Sequence, residues 1–475
     1  MNTFTTLVPL LIIVCGALTV MLLEVFLKRE KKDYLGYISV VFLLASGFFC
    51  LRFWNLNNSY FNGNLNLDNL ALFFTIILII TTLLVILISL KYIFLQNMNQ
   101  GEYFSLLLFA LSGMMIMVSS SDLLVIFLGL EVLSISSYAL TGMKREDHKS
   151  SEAAAKYFLL GSFAAAFIVF GLAFLYGATQ STGIDTVIQA FTGGSVSLLA
   201  VAGLSLVIIG ICFKIAVVPF HMWTPDVYQG APTPITAFFS VGPKAVGFAV
   251  LIRIFQPYWE GAVNSQTMFA LLWIIAVLTM LGGNLMALRQ TNVKRILAYS
   301  SIAHAGYLLV ALLARDNASL VFYLTVYLFM NIGAFSAVIA LSKKDAEYLE
   351  LDDFSGIGFK YPWIGATLTI FLISLAGFPP SGGFLAKFYI FSAAVRQGLI
   401  SLVIIAVIAS LISVYYYLRI VIHMYFKKPE HEISIHAENP ALFFVLFLCL
   451  YGVLQLGIFP GNVLVFIRQA VAALL

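Results

Sequence analysis

Fourteen apolar runs, each near the length of a bilayer crossing, decide what this chain can fold into. A hydrocarbon core about 30 Å thick takes about 20 helical residues, and backbone facing lipid must pair its own polar groups, which helices do. The runs lie at roughly 5–27, 34–53, 69–94, 102–119, 122–142, 151–176, 198–220, 232–255, 267–288, 293–313, 317–342, 361–397, 398–426 and 439–467. Only 10% of the 475 residues are Asp, Glu, Lys or Arg, whereas 61% are hydrophobic. Soluble domains carry about 25% charged residues, so this chain cannot clothe a water-facing surface. The sequence predicts an all-α integral membrane protein of about fourteen transmembrane helices, one polytopic domain over 1–475.

The same features exclude several kinds of function. A net charge of +4, scattered along the chain, does not suit a nucleic-acid partner. Cys15, Cys50, Cys212 and Cys449 form no CxxC pair and read as small core hydrophobes. Dinucleotide, P-loop and c-type haem motifs are absent from the sequence, so no cofactor is expected on this chain. Orientation follows from the loops. Alternate loops hold sixteen Lys and Arg on one side against five on the other. Basic residues stay cytoplasmic, which predicts both termini on the outer face of a bacterial cell membrane.

Two runs carry helix breakers. Span seven reads Lys214-Ile-Ala-Val-Val-Pro219-Phe-His221, and span twelve reads Gly377-Phe-Pro379-Pro380-Ser-Gly382-Gly383 shortly before Lys387. Proline removes a donor and clashes with the preceding turn, so both helices should be discontinuous. The two lie five spans apart and cross in opposite senses. Such a pair predicts two inverted five-helix repeats around a transport path: helices 4–8 over 102–255 and helices 9–13 over 267–426. Helices 1–3 (1–101) would precede them, and helix 14 (439–475) would follow.

Charges inside the apolar runs need a reason, because each costs several kcal/mol in hydrocarbon. Glu131, ten residues into span five, has no basic neighbour within a turn and cannot reach the surface. Lys214 is its expected partner. Lys244, beside Gly242-Pro243 in span eight, and Lys387 in span twelve sit at similar depths. Groups this close would titrate together. His304, in the stripe Tyr299-Ser300-Ser301-Ile-Ala-His304-Ala-Gly-Tyr307, and His221 could pass protons between two ring nitrogens. Lys156, five residues into span six, could also reach the surface. Glu24 and Arg419 read as interfacial charges, and Asp226 as a residue that orders the break after span seven. His148, His423, His431 and His436 fall in or near loops.

The block from Phe213-Lys214 through His221-Met-Trp223-Thr-Pro225-Asp226-Val-Tyr228-Gln-Gly230-Ala-Pro232-Thr-Pro234 to Gly242-Pro243-Lys244 resembles the antiporter-like subunits of respiratory complex I, the NADH-quinone oxidoreductase. Its Thr-Pro-Asp-Val-Tyr form looks like subunit N, whereas subunits L and M usually carry a Leu-Pro-Asp-Ala loop. Two features agree. The length suits fourteen spans without the lateral helix of subunit L, and Lys387 stands where subunit M usually has glutamate. The resemblance covers nearly the whole chain. It implies a relay of Glu131, Lys214, Lys244, His304 and Lys387, with His221 and Lys156 as further members. It further implies that NADH, FMN, iron–sulfur clusters and quinone are bound by other membrane and peripheral subunits, and that lipid and neighbouring antiporter-like subunits surround this one. A multi-subunit sodium/proton antiporter of the same ancestry, or a structural subunit without its own proton path, are the alternatives.

Overall fold

The computed structural model describes residues 7–472 apart from 29–30, 62, 99, 193–195, 263–264, 343–346 and 429–438. His431, His436 and three of the basic residues used for orientation (Arg29, Lys343, Lys344) lie outside the described residues. The helices are α1 (Val8–Phe26), α2 (Asp33–Arg52), α3 (Asn69–Leu95), α4 (Glu102–Ser119), α5 (Leu123–Thr141), α6 (His148–Thr179), α7 (Ile184–Gln189), α8 (Leu198–Lys214), α9 (Trp223–Gly230), α10 (Thr233–Gly261), α11 (Ser265–Ala287), α12 (Val293–Leu313), α13 (Asn317–Ala340), α14 (Ile357–Lys360), α15 (Pro362–Ala376), α16 (Gly382–Arg396), α17 (Ile400–Phe426), α18 (Pro440–Ile458) and α19 (Gly461–Ala472). A small antiparallel hairpin, β1 (Asn58–Tyr60) with β2 (Leu65–Leu67), closes the α2–α3 loop.

Among the described residues, twelve helices are long and apolar enough to cross a bilayer. Spans seven and twelve complete the fourteen as broken crossings, α8 with the segment leading to α9, and α15 with α16. The largest boundary difference from the sequence expectation is in the last span. The helix expected over 439–467 stops at Ile458, because Pro460 cannot continue the amide ladder. The chain restarts as α19, which packs against α3 and α13.

Hydrophobic burial and close helix approach organise the bundle. In α10 and α12 the apolar window is 100% buried, and in α13 it is 94%, whereas α1, α2, α6 and α17 bury a third or less. The central trio therefore carries any charge farthest from lipid. Within each half, the first two spans pack along their length, α4 on α5 and α11 on α12. Small residues allow this approach. A Cβ on Gly113 would lie 2.5 Å from the Gly129 carbonyl oxygen, and one on Gly283 would lie 2.6 Å from the Ala303 nitrogen.

The acids absent from the spans stand largely at helix starts. Asp68, Asp122, Asp147 and Asp316 accept from free amides of α3, α5, α6 and α13, and Asn292 does so for α12. Such caps satisfy donors at an end that enters an apolar medium. Asp68 also receives both Arg253 terminal nitrogens at 2.9 Å, while Arg253 Nε donates to the Val118 carbonyl at 2.9 Å. The sequence suggests a loop-facing Arg253 at the end of its span; the structure buries it to 7% exposure as a clamp between α3, α4 and α10.

Candidate functional site

The two helix breaks and two of the buried lysines, Lys214 and Lys387, are one structural feature. Lys214 is the last residue of α8, where carbonyls left without amide partners favour a cation. After it the backbone unwinds. Its freed groups are met by neighbours: the Val218 amide donates to Thr279 Oγ1 at 3.0 Å, and the Trp223 indole donates to the Phe213 carbonyl at 2.9 Å. Lys387, on α16, reaches back to the end of α15, donating to the carbonyls of Leu375 at 3.0 Å and Ala376 at 2.8 Å. Gly377 makes that reach possible. It turns the chain at φ 94°, and a Cβ there would lie 2.9 Å from the Lys387 side chain.

Lys214, Lys244 and Lys387 each face one serine and one tyrosine. Lys214 donates to Ser134 Oγ at 3.1 Å and Tyr157 OH at 3.2 Å, with the tyrosine ring centroid 5.3 Å away. Lys244 donates to the carbonyl and hydroxyl of Ser301 and lies 5.1 Å from the Tyr327 ring. Lys387 donates to Ser410 Oγ at 2.9 Å and lies 5.1 Å from the Tyr307 ring. Hydroxyls, carbonyls and π faces thus hold the three lysine nitrogens, with no carboxylate in direct contact among the described residues. The expected Glu131–Lys214 pair makes no direct ion contact among the described residues, although the two groups lie close enough to act on each other's charge. Ser134 stands three residues after Glu131 on the same face of α5 and takes the ammonium itself. Glu131 is half-buried, and its Oε1 has no hydrogen-bond partner among the described residues.

One face of α12 joins the second and third lysines. Ser301, His304 and Tyr307 recur at three-residue spacing, about 9 Å of helical rise, from the Lys244 site to the Lys387 site. His304 lies between two hydroxyls, Nδ1 2.6 Å from Tyr323 and Nε2 3.2 Å from Tyr417. Tyr417 pairs with Ser300, and Tyr416 donates to Asn284, whose amide donates to Tyr307. The sequence reading singled out the lysines and His304 but not Tyr157, Tyr323, Tyr327, Tyr417 or Ser410. Their signal was present as hydroxyls inside apolar spans, yet the face each occupies depends on packing. Replacing Tyr323 with phenylalanine leaves the imidazole unpaired on one side. We expect a loss of about tenfold in the rate of any proton transfer through His304, read as ion movement in sealed vesicles.

The two less central residues are placed elsewhere. His221 is buried in the unwound segment, and its Nδ1 lacks a partner among the described residues. Lys156 is 43% exposed and pairs with Glu152 and Asp226, each at 2.7 Å. Asp226 also receives Arg295 at 2.7 Å, so it ties α6, α9 and α12 together. Partial burial would raise the Asp226 carboxyl, but the two cations outweigh it and hold it below the usual range. Among the described residues, no group of three or more His, Cys, Asp or Glu gathers as a metal would need.

Residues 120–413 match the family model described as "NADH:quinone oxidoreductase/Mrp antiporter, TM". The NADH-quinone oxidoreductase subunit N of Trichlorobacter lovleyi is 43% identical over 98% of this chain and 96% of its own length. This chain belongs to the NADH-quinone oxidoreductase subunit N family. Subunit N 1 of Solibacter usitatus is likewise 43% identical, over 98% and 96% of the two lengths. A chain of respiratory complex I from Thermus thermophilus superposes with a TM-score of 0.82 at 32% identity, covering 96% of this chain and 98% of that one. The fold also matches a chain of the Mrp complex from Dietzia sp., with a TM-score of 0.82 at 20% identity, covering 99% and 97%.

This subunit N family member has a second polar cluster, at the ends of the helices on the basic side. Glu347, in the α13–α14 connection, accepts from Tyr92 OH at 2.8 Å and from the Thr233 hydroxyl, and lies 3.5 Å from Lys144 Nζ. Burial alone would raise this carboxyl, but Lys294, Lys144 and the two hydroxyls bring it down to about 2. A carboxyl depressed from an ordinary 4.5 adds stability that is complete above about pH 4.5 and vanishes as pH falls toward 2. Unfolding in detergent should therefore lose about 3 kcal/mol across that window, and Glu347→Gln should flatten this part of the profile.

Proposed function

We propose that the chain is a proton-translocating membrane subunit of an NADH-quinone oxidoreductase, driven by NADH oxidation and quinone reduction in other subunits and without a redox centre of its own. The observation that carries this reading is that Lys214, Lys244 and Lys387 are buried, each beside a serine and a tyrosine, with the last two joined by the His304 face of α12. In this reading protons load Lys214 and Lys244 from the cytoplasm, cross by His304 and leave outward from Lys387. Glu131, half-buried on the α5 face, acts as the switch that favours or releases the charge on Lys214. His221 and Lys156 take supporting places, at the break and at the cytoplasmic surface. The basic side is the cytoplasmic face of a bacterial inner membrane, with both termini outside. Spans 4–8 (102–255) and 9–13 (267–426) form the two inverted repeats, a reading supported by the matching first-on-second packing in each half.

NADH, FMN, iron–sulfur clusters and quinone belong to partner subunits in this proposal, and a neighbouring antiporter-like subunit covers part of the apolar surface. The test is purification of the tagged chain from its native membrane in mild detergent. Co-purification with NADH–quinone activity, flavin and iron is the expected result. A partner set lacking flavin and iron, with sodium-dependent proton exchange in vesicles, would replace this reading with the multi-subunit antiporter.

A further inference from the structure

We propose that Lys144, Glu347 and Lys294 form the basic-side inlet that supplies protons to Lys244, with Lys294 carrying the proton and Glu347 positioning it. This rests on the relay reading of Lys244 given above. The sequence places Lys294 among loop cations, but the side chain is fully buried and donates to the Ala231 carbonyl at 2.6 Å. A cation buried there needs a reason, and its only nearby carboxylate among the described residues with a strong charge effect on it is Glu347, with Asp147 weaker.

The cluster leads from water inward. A cavity of about 500 Å³ opens beside Gln96, Gln100, Lys144 and Asp147 at the basic-side surface. Lys144 lines it, donates to Gln96 Oε1 at 2.9 Å and faces Glu347 on its inner side. Glu347 in turn holds Thr233, the first residue of α10, and Tyr92 near the end of α3. Lys294 lies behind this carboxylate, two turns of α12 before Ser301. Seven residues are about 10 Å of rise, and Tyr228, on α9, lies along that interval with its hydroxyl toward Ser301. Ser301 is the residue that holds Lys244.

The balance is a proton only. Lys144 hands a proton to a neutral Lys294 across the fixed Glu347 carboxylate and is recharged from water in the cavity. Lys294 then gives it up through Tyr228 and Ser301 to a neutral Lys244. Each transfer leaves the donor an amine and the acceptor an ammonium. Glu347 stays ionised throughout and keeps the two lysines in register.

Arginine separates this role from a static one, because it keeps the charge and donors but does not release a proton. The test uses the intact complex in inverted membrane vesicles, with NADH oxidation by an artificial acceptor as the measure of assembly. Lys294→Arg and Lys294→Met should both slow proton pumping about tenfold at parental assembly, Glu347→Gln should do the same, and Glu347→Asp should restore it to within about twofold. Parental pumping in Lys294→Arg would overturn the inlet and leave the cluster a charge clamp. Should the Lys294 variants fail to assemble, the Glu347 pair decides. Parental pumping with an unchanged pH profile in Glu347→Gln overturns the inlet, whereas a loss rescued by Glu347→Asp supports it. Lys244→Met is the reference: if it pumps normally the relay itself is wrong, and if it fails while Lys294→Arg pumps, only the inlet is.

Discussion

Lys244→Met is expected to reduce proton translocation by about 100-fold while the complex still assembles. The methionine fills much the same volume in the fully buried α10, so packing is retained. The proton-carrying group is not. Ser301 loses the ammonium it accepts from, and the α12 stripe loses its source. Lys244→Arg should fail as well, although it restores the charge, because a guanidinium does not cycle through a neutral form. The parallel substitution Lys214→Ala should also abolish or strongly reduce pumping. Each charge moved works against about 2.3 kcal/mol per 100 mV, so a broken relay cannot be offset by leakage through neighbouring hydroxyls. The measurement is dye-reported acidification of inverted vesicles fed NADH, normalised to NADH oxidised. Unchanged pumping in both lysine variants would exclude the assigned roles.

Arg253→Met should cost about 3–5 kcal/mol of stability. The guanidinium holds both Asp68 oxygens at 2.9 Å and the Val118 carbonyl, and it is almost wholly enclosed. Its loss strands a carboxylate that also caps α3 through the Ala71 amide. The double variant Arg253→Met with Asp68→Asn should recover most of the loss, since asparagine caps a helix about as well as aspartate and carries no charge. Thermal unfolding in detergent of the three variants gives the comparison. Equal destabilisation in the single and double variants would mean that the Val118 contact matters, not the ion pair.

Much of this protein was legible without coordinates. The apolar runs determined fourteen crossings, because hydrocarbon tolerates no lipid-facing backbone except a helix that pairs its own amides. Pro219 and the Pro379-Pro380 pair located the two breaks, since proline removes a donor wherever it stands. Lys214, Lys244, Lys387, His304 and Glu131 stood out because a polar group in an apolar span is costly at any packing.

Tertiary structure alone decided what those groups touch. Partners on other helices are chosen by rotation and approach, which one-dimensional spacing does not encode. Lys214 therefore touches Ser134 and Tyr157, with Glu131 acting on it only at longer range. The segment after Pro460 takes its place as α19 against α3 and α13, a contact that the proline itself does not specify. Arg253, Lys294 and Glu347 carry charge near helix ends, where sequence reads a water-facing residue. Only the packing of several helix ends around them removes that water, pairing Arg253 with Asp68 at one end of the bundle and gathering Lys294, Glu347 and Lys144 at the other.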